Sequence, residues 1–269
     1  MLLRKLQTPT NLFLLSLAVT DFLVGLLVMT ATIYLRTSCW YFGDIMCSLY
    51  GFVHVIILCS SVAIMVLISA DRYVAICDPL HYTTRVTERR AKLWVCLCWL
   101  CSVLFTTVIL KDDLAHPGMF KSCHGQCSTY TNTIEFILRF LTFIVPIIVI
   151  VVLYMRVFVV AVSQARAMRS HVTAVSVSVT AKKSELKAAR TLGVLVVVFL
   201  MCYCPYYLYY LTAFEIKPWI FPLLCYLVYF NSCLNPLIYA LFYPWFRKAV
   251  KLIVTLQILQ PGSCDANIL

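Results

Sequence analysis

The sequence predicts an all-α membrane protein, on three observations. Of its 269 residues, 62% are hydrophobic and 12% charged, where a soluble domain spends about a quarter on charge. Mean hydropathy is +0.92, which leaves too little polar surface to clothe a water-soluble globule and excludes a disordered chain. The apolar residues fall in runs long enough to cross a bilayer as helices, about 20 residues each. No stretch shows the two-residue alternation of a membrane barrel. The 14 cysteines lie mostly inside these runs, where Cys acts as a small buried hydrophobe, so a secreted disulfide scaffold is excluded too.

Six spans are expected, over 12–35, 46–70, 93–110, 134–160, 190–213 and 219–242. Pro146, Pro205 and Pro236 fall inside three of them, which membranes tolerate because neighbouring helices satisfy the freed backbone groups. Lys and Arg set the orientation. With the first connector outside, only Arg36, Lys111, Lys121, Lys217 and the span-end Arg139 lie on the outer side, and the other 17 of 22 basic residues lie inside. That asymmetry is the positive-inside pattern. It accounts for the net charge of +11 by orientation and argues against nucleic acid as a partner. Both termini are then cytoplasmic. The chain runs from Met1 through Arg4-Lys5 into a short polar turn and a span, with no signal peptide.

The connectors add detail. Lys111–Thr133 is polar and outside, with Cys123 and Cys127. Cys47 opens the second span on that oxidising side, so a bridge from Cys47 to one of the loop cysteines is expected. Ser163–Ser184, inside, is rich in Ser, Thr, Ala and basic residues and reads as a mobile loop. Trp245–Gln257 alternates apolar and basic residues and suits an amphipathic helix on the inner leaflet.

Ionisable groups at membrane depth point to function. Asp21 lies deep in the first span. It needs a hydroxyl or amide such as Ser61, Asn231 or Asn235, or else it is a cation or proton site. Asp71-Arg72-Tyr73 closes the second span, either as a charged end snorkelling to the interface or as a latch in which Arg72 pairs with Glu185. His54 lies about two turns into the second span, as a packing residue or a ligand contact. Glu135 and Arg139, one turn apart, can satisfy each other. Tyr203, Tyr206, Tyr207 and Tyr210 recur at helical spacing toward the interior, which favours a pocket wall over an aromatic belt; Tyr209 faces elsewhere. Enzyme signatures are lacking: no His/Glu metal pair, no Gly-rich phosphate loop and no Gly-x-Ser-x-Gly. A channel or transporter is disfavoured because Asp21 is the single deep charge.

Leu17-Ala18-x-x-Asp21, Asp71-Arg72-Tyr73, Trp99, Pro146 with Tyr154, Phe199-x-x-Cys202-x-x-Pro205 and Asn235-Pro236-x-x-Tyr239 together resemble the rhodopsin-like G protein-coupled receptors, in order and one set per helix over residues 8–257. Asn231-Ser232-x-x-Asn235-Pro236-x-x-Tyr239-x-x-x-Tyr243-x-Trp245-Phe246 is similar to the trace amine-associated receptors, olfactory receptors for volatile amines. The resemblance implies a rhodopsin-like bundle over 1–257 and a cytoplasmic tail over 258–269. It implies a small odorant as ligand, a stimulatory or olfactory heterotrimeric G protein as partner, and residence in the plasma membrane. It further implies a ligand pocket lined by His54, Val55, Leu58, Glu135, Leu138, Arg139, Thr142, Tyr203, Tyr206, Tyr207, Tyr210 and Tyr229. The switch residues would be Asp71, Arg72, Tyr154, Glu185, Phe199, Pro205, Asn235, Pro236 and Tyr239. Asp21, Ser61, Asn231 and Asn235 match an allosteric sodium site, no other cofactor is implied, and Cys47 would pair with Cys127.

The departures are specific. His54 occupies the position where amine receptors of this class carry the Asp that meets the ligand ammonium, and Tyr203 stands where they carry Trp. A basic amine thus loses its expected counter-ion. A pocket with His54 and Arg139 favours an acidic or acceptor ligand, unless Glu135 or Glu215 holds an amine from the rim. The first residues match the loop between the family's first and second helices, so six of its seven helices are expected. Such a chain is either a receptor whose record lacks its first helix or a six-span product that does not signal.

Overall fold

The computed structural model describes residues 8–37, 40–111, 133–170, 176–212, 220–242 and 244–255. Local signals start its helices. The Thr8 hydroxyl accepts from the Asn11 N–H at 3.3 Å and Pro9 occupies the first turn of α1 (Pro9–Leu23), where a missing N–H costs nothing. A π-helical turn, Val24–Met29, leads into α2 (Thr30–Thr37), and together they cross the membrane as Pro9–Leu35. Thr20, Thr32 and Thr37 donate to the carbonyls of Leu17, Val28 and Ile33 at 2.7, 2.7 and 2.9 Å. Such back-bonding satisfies hydroxyls that hydrocarbon cannot.

The 35-residue α3 (Gly43–Cys77) opens on Gly43 at φ 75°, a left-handed conformation that disfavours side chains. The Trp40 indole donates to the Gly43 carbonyl at 2.7 Å and pins this turn. Asp78 separates α3 from the short α4 (Pro79–Arg85). Thr87 then caps α5 (Glu88–Ile109). The remaining helices are α6 (Thr133–Ser170), α7 (Ser176–Thr212), α8 (Ile220–Phe242) and the amphipathic α9 (Pro244–Val254).

Among the described residues six helices are long and apolar enough to span a bilayer, and there is no strand. The chain is a multi-pass helical membrane protein. α3 lies at the centre, packed against α1, α5, α6 and α7, while α5, α1, α8, α7 and α6 follow one another around it. Leu17, Ile57, Ile64, Ile68, Leu192, Leu195 and Phe199 fill the interior. Leu15, Phe22, Leu104, Phe158, Met201 and Leu241 point outward and are exposed, a surface that suits lipid and not water.

One expectation fails. Ser163–Ser184 was expected as a loop, yet α6 runs to Ser170 and α7 begins at Ser176, leaving only 171–175 outside the described residues. A helix already nucleated in the bundle extends at little cost through Ala, Arg, Lys, Gln and Glu, so a polar composition does not stop it.

Candidate functional site

The outer half of the bundle holds a chain of polar-tipped aromatics. About three turns into α3, His54 Nε2 lies 3.1 Å from the hydroxyl of Tyr229 on α8. One turn nearer the outside, the Tyr50 ring stacks on His54 at 5.7 Å. Because the Thr32 proton is already given to Val28, the Tyr50 hydroxyl donates to Thr32 Oγ1 at 2.7 Å. Trp40 packs over Tyr50 at 6.4 Å, with Tyr34 and Phe42 against it. Tyr50 thus joins α3 to α2, and the imidazole of His54 joins α3 to α8.

Across the bundle a second aromatic group fills the space between α6 and α7. Phe143 stacks on Tyr207 at 3.4 Å and on Tyr203 at 5.8 Å, and Tyr203 stacks on Phe199 at 4.3 Å. Tyr203 is fully buried, while Tyr206 and Tyr207 are half-buried beside it. Tyr206 and Tyr209 both meet Phe221 of α8, at 6.0 and 5.7 Å. Val55, Leu58 and Thr142 are half-buried on the facing helices. The side chains of Glu135, Leu138, Arg139 and Tyr210 lie outside the described residues, as does Glu215. Cys47 is disulfide-bonded, and the two candidate partners, Cys123 and Cys127, fall outside the described residues.

Below this level is a buried polar layer. Asn235 Nδ2 donates to both oxygens of Asp21, at 3.1 and 3.0 Å. Ser61 Oγ and the whole amide of Asn231 are buried with no hydrogen-bond partner among the described residues. Buried unpaired oxygens and a carboxylate are the donor types that a hard cation takes, so the chemistry of these residues fits sodium; when bound, it would supply positive charge to the carboxylate.

At the cytoplasmic end, Asp71 and Arg72 are buried, 3% and 7% exposed, so the snorkelling reading is corrected: α3 continues to Cys77 and keeps both inside the bundle. Arg72 pairs with Asp71 and also donates to Thr10 of α1. The Asp71 carboxylate accepts from Thr10 and from the Tyr82 phenol of α4, each at 2.8 Å. Both carboxylate oxygens are thus hydrogen-bonded, which is what a buried carboxylate requires. Glu185, the expected partner of Arg72, has its side chain outside the described residues. Tyr154 lies with its ring 3.7 Å from the Cβ position of Gly193 on α7, and Tyr239 packs edge-on to Phe246 of α9 at 5.8 Å. Pro205 and Pro236 lie within unbroken α7 and α8.

Burial, and next the Asp71 charge, raise the Tyr82 phenol above its ordinary value of 10.0. The fold therefore favours the protonated phenol: the contribution of this contact is complete below pH 10 and is lost as pH rises through the raised value. Tyr82→Phe is expected to lower stability at pH 7 by about 1 kcal/mol, the worth of one hydrogen bond to a partly buried partner. It should also remove the phenol's share of alkaline destabilisation. Melting curves of the purified protein at pH 7 and pH 11 check both.

Sequence reasoning missed Thr10, Thr32, Tyr50 and Phe143. Tyr50 carried a signal, one helical turn from His54; Thr10 carried none, because its partners are 61 and 62 residues away.

The described geometry agrees with the kinship of the sequence. The family model described as 7 transmembrane receptor (rhodopsin family) matches residues 1–239. Trace amine-associated receptor 8c of Mus musculus is 35% identical across 98% of this chain and 82% of its own length. Trace amine-associated receptor 7a of Rattus norvegicus is 37% identical across 98% and 78%, and receptor 6 of Homo sapiens 36% across 98% and 81%. This chain belongs to the rhodopsin family of seven-transmembrane, G protein-coupled receptors, among the trace amine-associated receptors.

Proposed function

We propose that this receptor is chemosensory, detects a small odorant entering from the outer side of the plasma membrane, and activates a stimulatory, olfactory-type heterotrimeric G protein. The contact between His54 and Tyr229 carries the reading. It is a polar pair 3.1 Å apart, set among aromatic walls in the outer half of the bundle, as a small-molecule site requires. A ligand that inserts between them acts on α3 and α8 together and favours whichever arrangement it binds better. The His54 side chain suits an acceptor or acidic group; a simple amine would have to be held by Glu135 or Glu215 instead.

The other end suits a protein partner. Leu80 of α4 is 88% exposed among basic residues of the inner face, an apolar knob in a cationic surround. Arg72, now drawn toward Asp71 and Thr10, would be released as the inner end of α7 moves outward. Sodium held by Asp21, Ser61, Asn231 and Asn235 would favour the resting arrangement, and the bridge of Cys47 to Cys127 would tether the outer loop to α3.

The test is cAMP output of cells expressing the full chain, across a panel of volatile acids, esters and amines. At least one compound should raise cAMP in a concentration-dependent way. Glu185→Ala is expected to raise ligand-free output several-fold by weakening the latch on Arg72; a change of that size requires only about 1 kcal/mol of population shift. Flat responses to every compound, with unchanged basal output in a variant of normal surface expression, would overturn the reading.

A further inference from the structure

Spacing places Tyr203 in the ligand pocket, but its burial leaves a ligand almost nothing to touch. It is 1% exposed, walled by Phe199 at 4.3 Å and by Phe143 at 5.8 Å. A buried phenol still needs a use for its polar tip. Here the hydroxyl is turned toward Ser61 of α3 and lies within range of the Asp21 charge on α1. Ser61 Oγ closes no hydrogen bond among the described residues, and neither does the amide of Asn231 on α8. Both residues are 1% exposed, so bulk water does not serve them. Asn231 stands one turn from Asn235, which holds Asp21 through its amide. Helices α1, α3, α7 and α8 thus each bring an oxygen-bearing side chain to the same buried layer.

We propose that the Tyr203 hydroxyl is a further oxygen ligand of the sodium site formed by Asp21, Ser61 and Asn231. The proposal rests on the reading, made above, that this layer takes sodium. A hard cation gathers about six oxygens, more than those three side chains supply, and the phenol is the next oxygen at hand. Its lone pairs can face a cation, whereas an indole N–H in the same place could only donate. The phenol is neutral, so it adds affinity without burying a second carboxylate. Phe143, which stacks on Tyr203 and also on Tyr207 at 3.4 Å, ties this oxygen to the half-buried aromatics of the outer pocket.

The test is thermal melting of the purified full chain in detergent, with sodium chloride replacing choline chloride at constant ionic strength. An ion that binds only the folded chain raises the melting temperature with its concentration, and the rise yields a dissociation constant. The wild-type chain should show the rise and Asp21→Asn should not. Tyr203→Phe keeps the ring stacking and removes only the oxygen. It should weaken sodium binding about tenfold, or ~1.4 kcal/mol. Tyr203→Trp, which offers the cation no lone pair, should weaken it as much and serves if Tyr203→Phe does not fold. A hydroxyl that merely packs would lower the melting temperature in choline and leave the sodium dissociation constant unchanged. That result would overturn the proposal and leave the sodium reading standing. A wild-type chain that melts alike in both salts would overturn both.

Discussion

Replacing His54 by Asp is expected to lower the concentration of a simple alkyl amine needed for half-maximal cAMP output by about 100-fold, or ~2.7 kcal/mol. The Tyr229 hydroxyl, 3.1 Å from the imidazole, would donate to the new carboxylate and orient it. An ammonium arriving from the outer side then meets a buried, hydrogen-bonded counter-charge, and such pairs are worth about 2–5 kcal/mol when one partner is removed. His54→Asn is the control, because it keeps a polar side chain of the same size as Asp without the charge and should show no gain. Amine responses that stay equal in His54→Asp and wild type, at matched surface expression, would show that the pocket is not amine-shaped elsewhere.

The second large effect lies in the buried layer. Asn235→Leu removes the amide that donates to both oxygens of Asp21 and leaves a carboxylate 5% exposed with only the weaker Ser232 contact. Loss of a hydrogen-bonded partner to a buried charge costs about 3 kcal/mol. For a chain of this size that lowers the melting temperature by roughly 6–12 °C. Asp21→Leu placed in the same background should restore most of it, since two apolar groups need no partner. A single variant that melts with the wild type, or a pair that shows no recovery, would place the stabilising role of this contact elsewhere.

Much of this was legible before any coordinates. Spans were legible because hydrocarbon demands about 20 apolar residues and leaves no other solution for the backbone. Asp21 was legible because a charge there needs a reason, and Asn235 was among its three candidate partners. Loop 163–184 was not, since Ser, Thr and Arg signal polarity but do not end a helix that the bundle has begun. The residues that complete the sites were also hidden. Thr10 meets Asp71, and Thr32 meets Tyr50, only because α1 and α2 lie beside α3; no spacing within a single helix encodes such a meeting. His54 and Tyr229 were each marked as pocket residues, but their mutual contact spans 175 residues.

The continuity of α7 from Ser176 to Thr212 has a mechanical consequence. Pro205, which interrupts the backbone ladder inside that helix, is its natural pivot. Seven residues lie on the outer side and 29 on the inner, arms of about 10 and 44 Å. The helix is a lever with a ratio of about four. A displacement of the outer tyrosines by one ångström becomes several ångströms at Ser176, and the aromatic packing of Tyr203 and Tyr207 on Phe143 sets the stiffness against which a ligand must push.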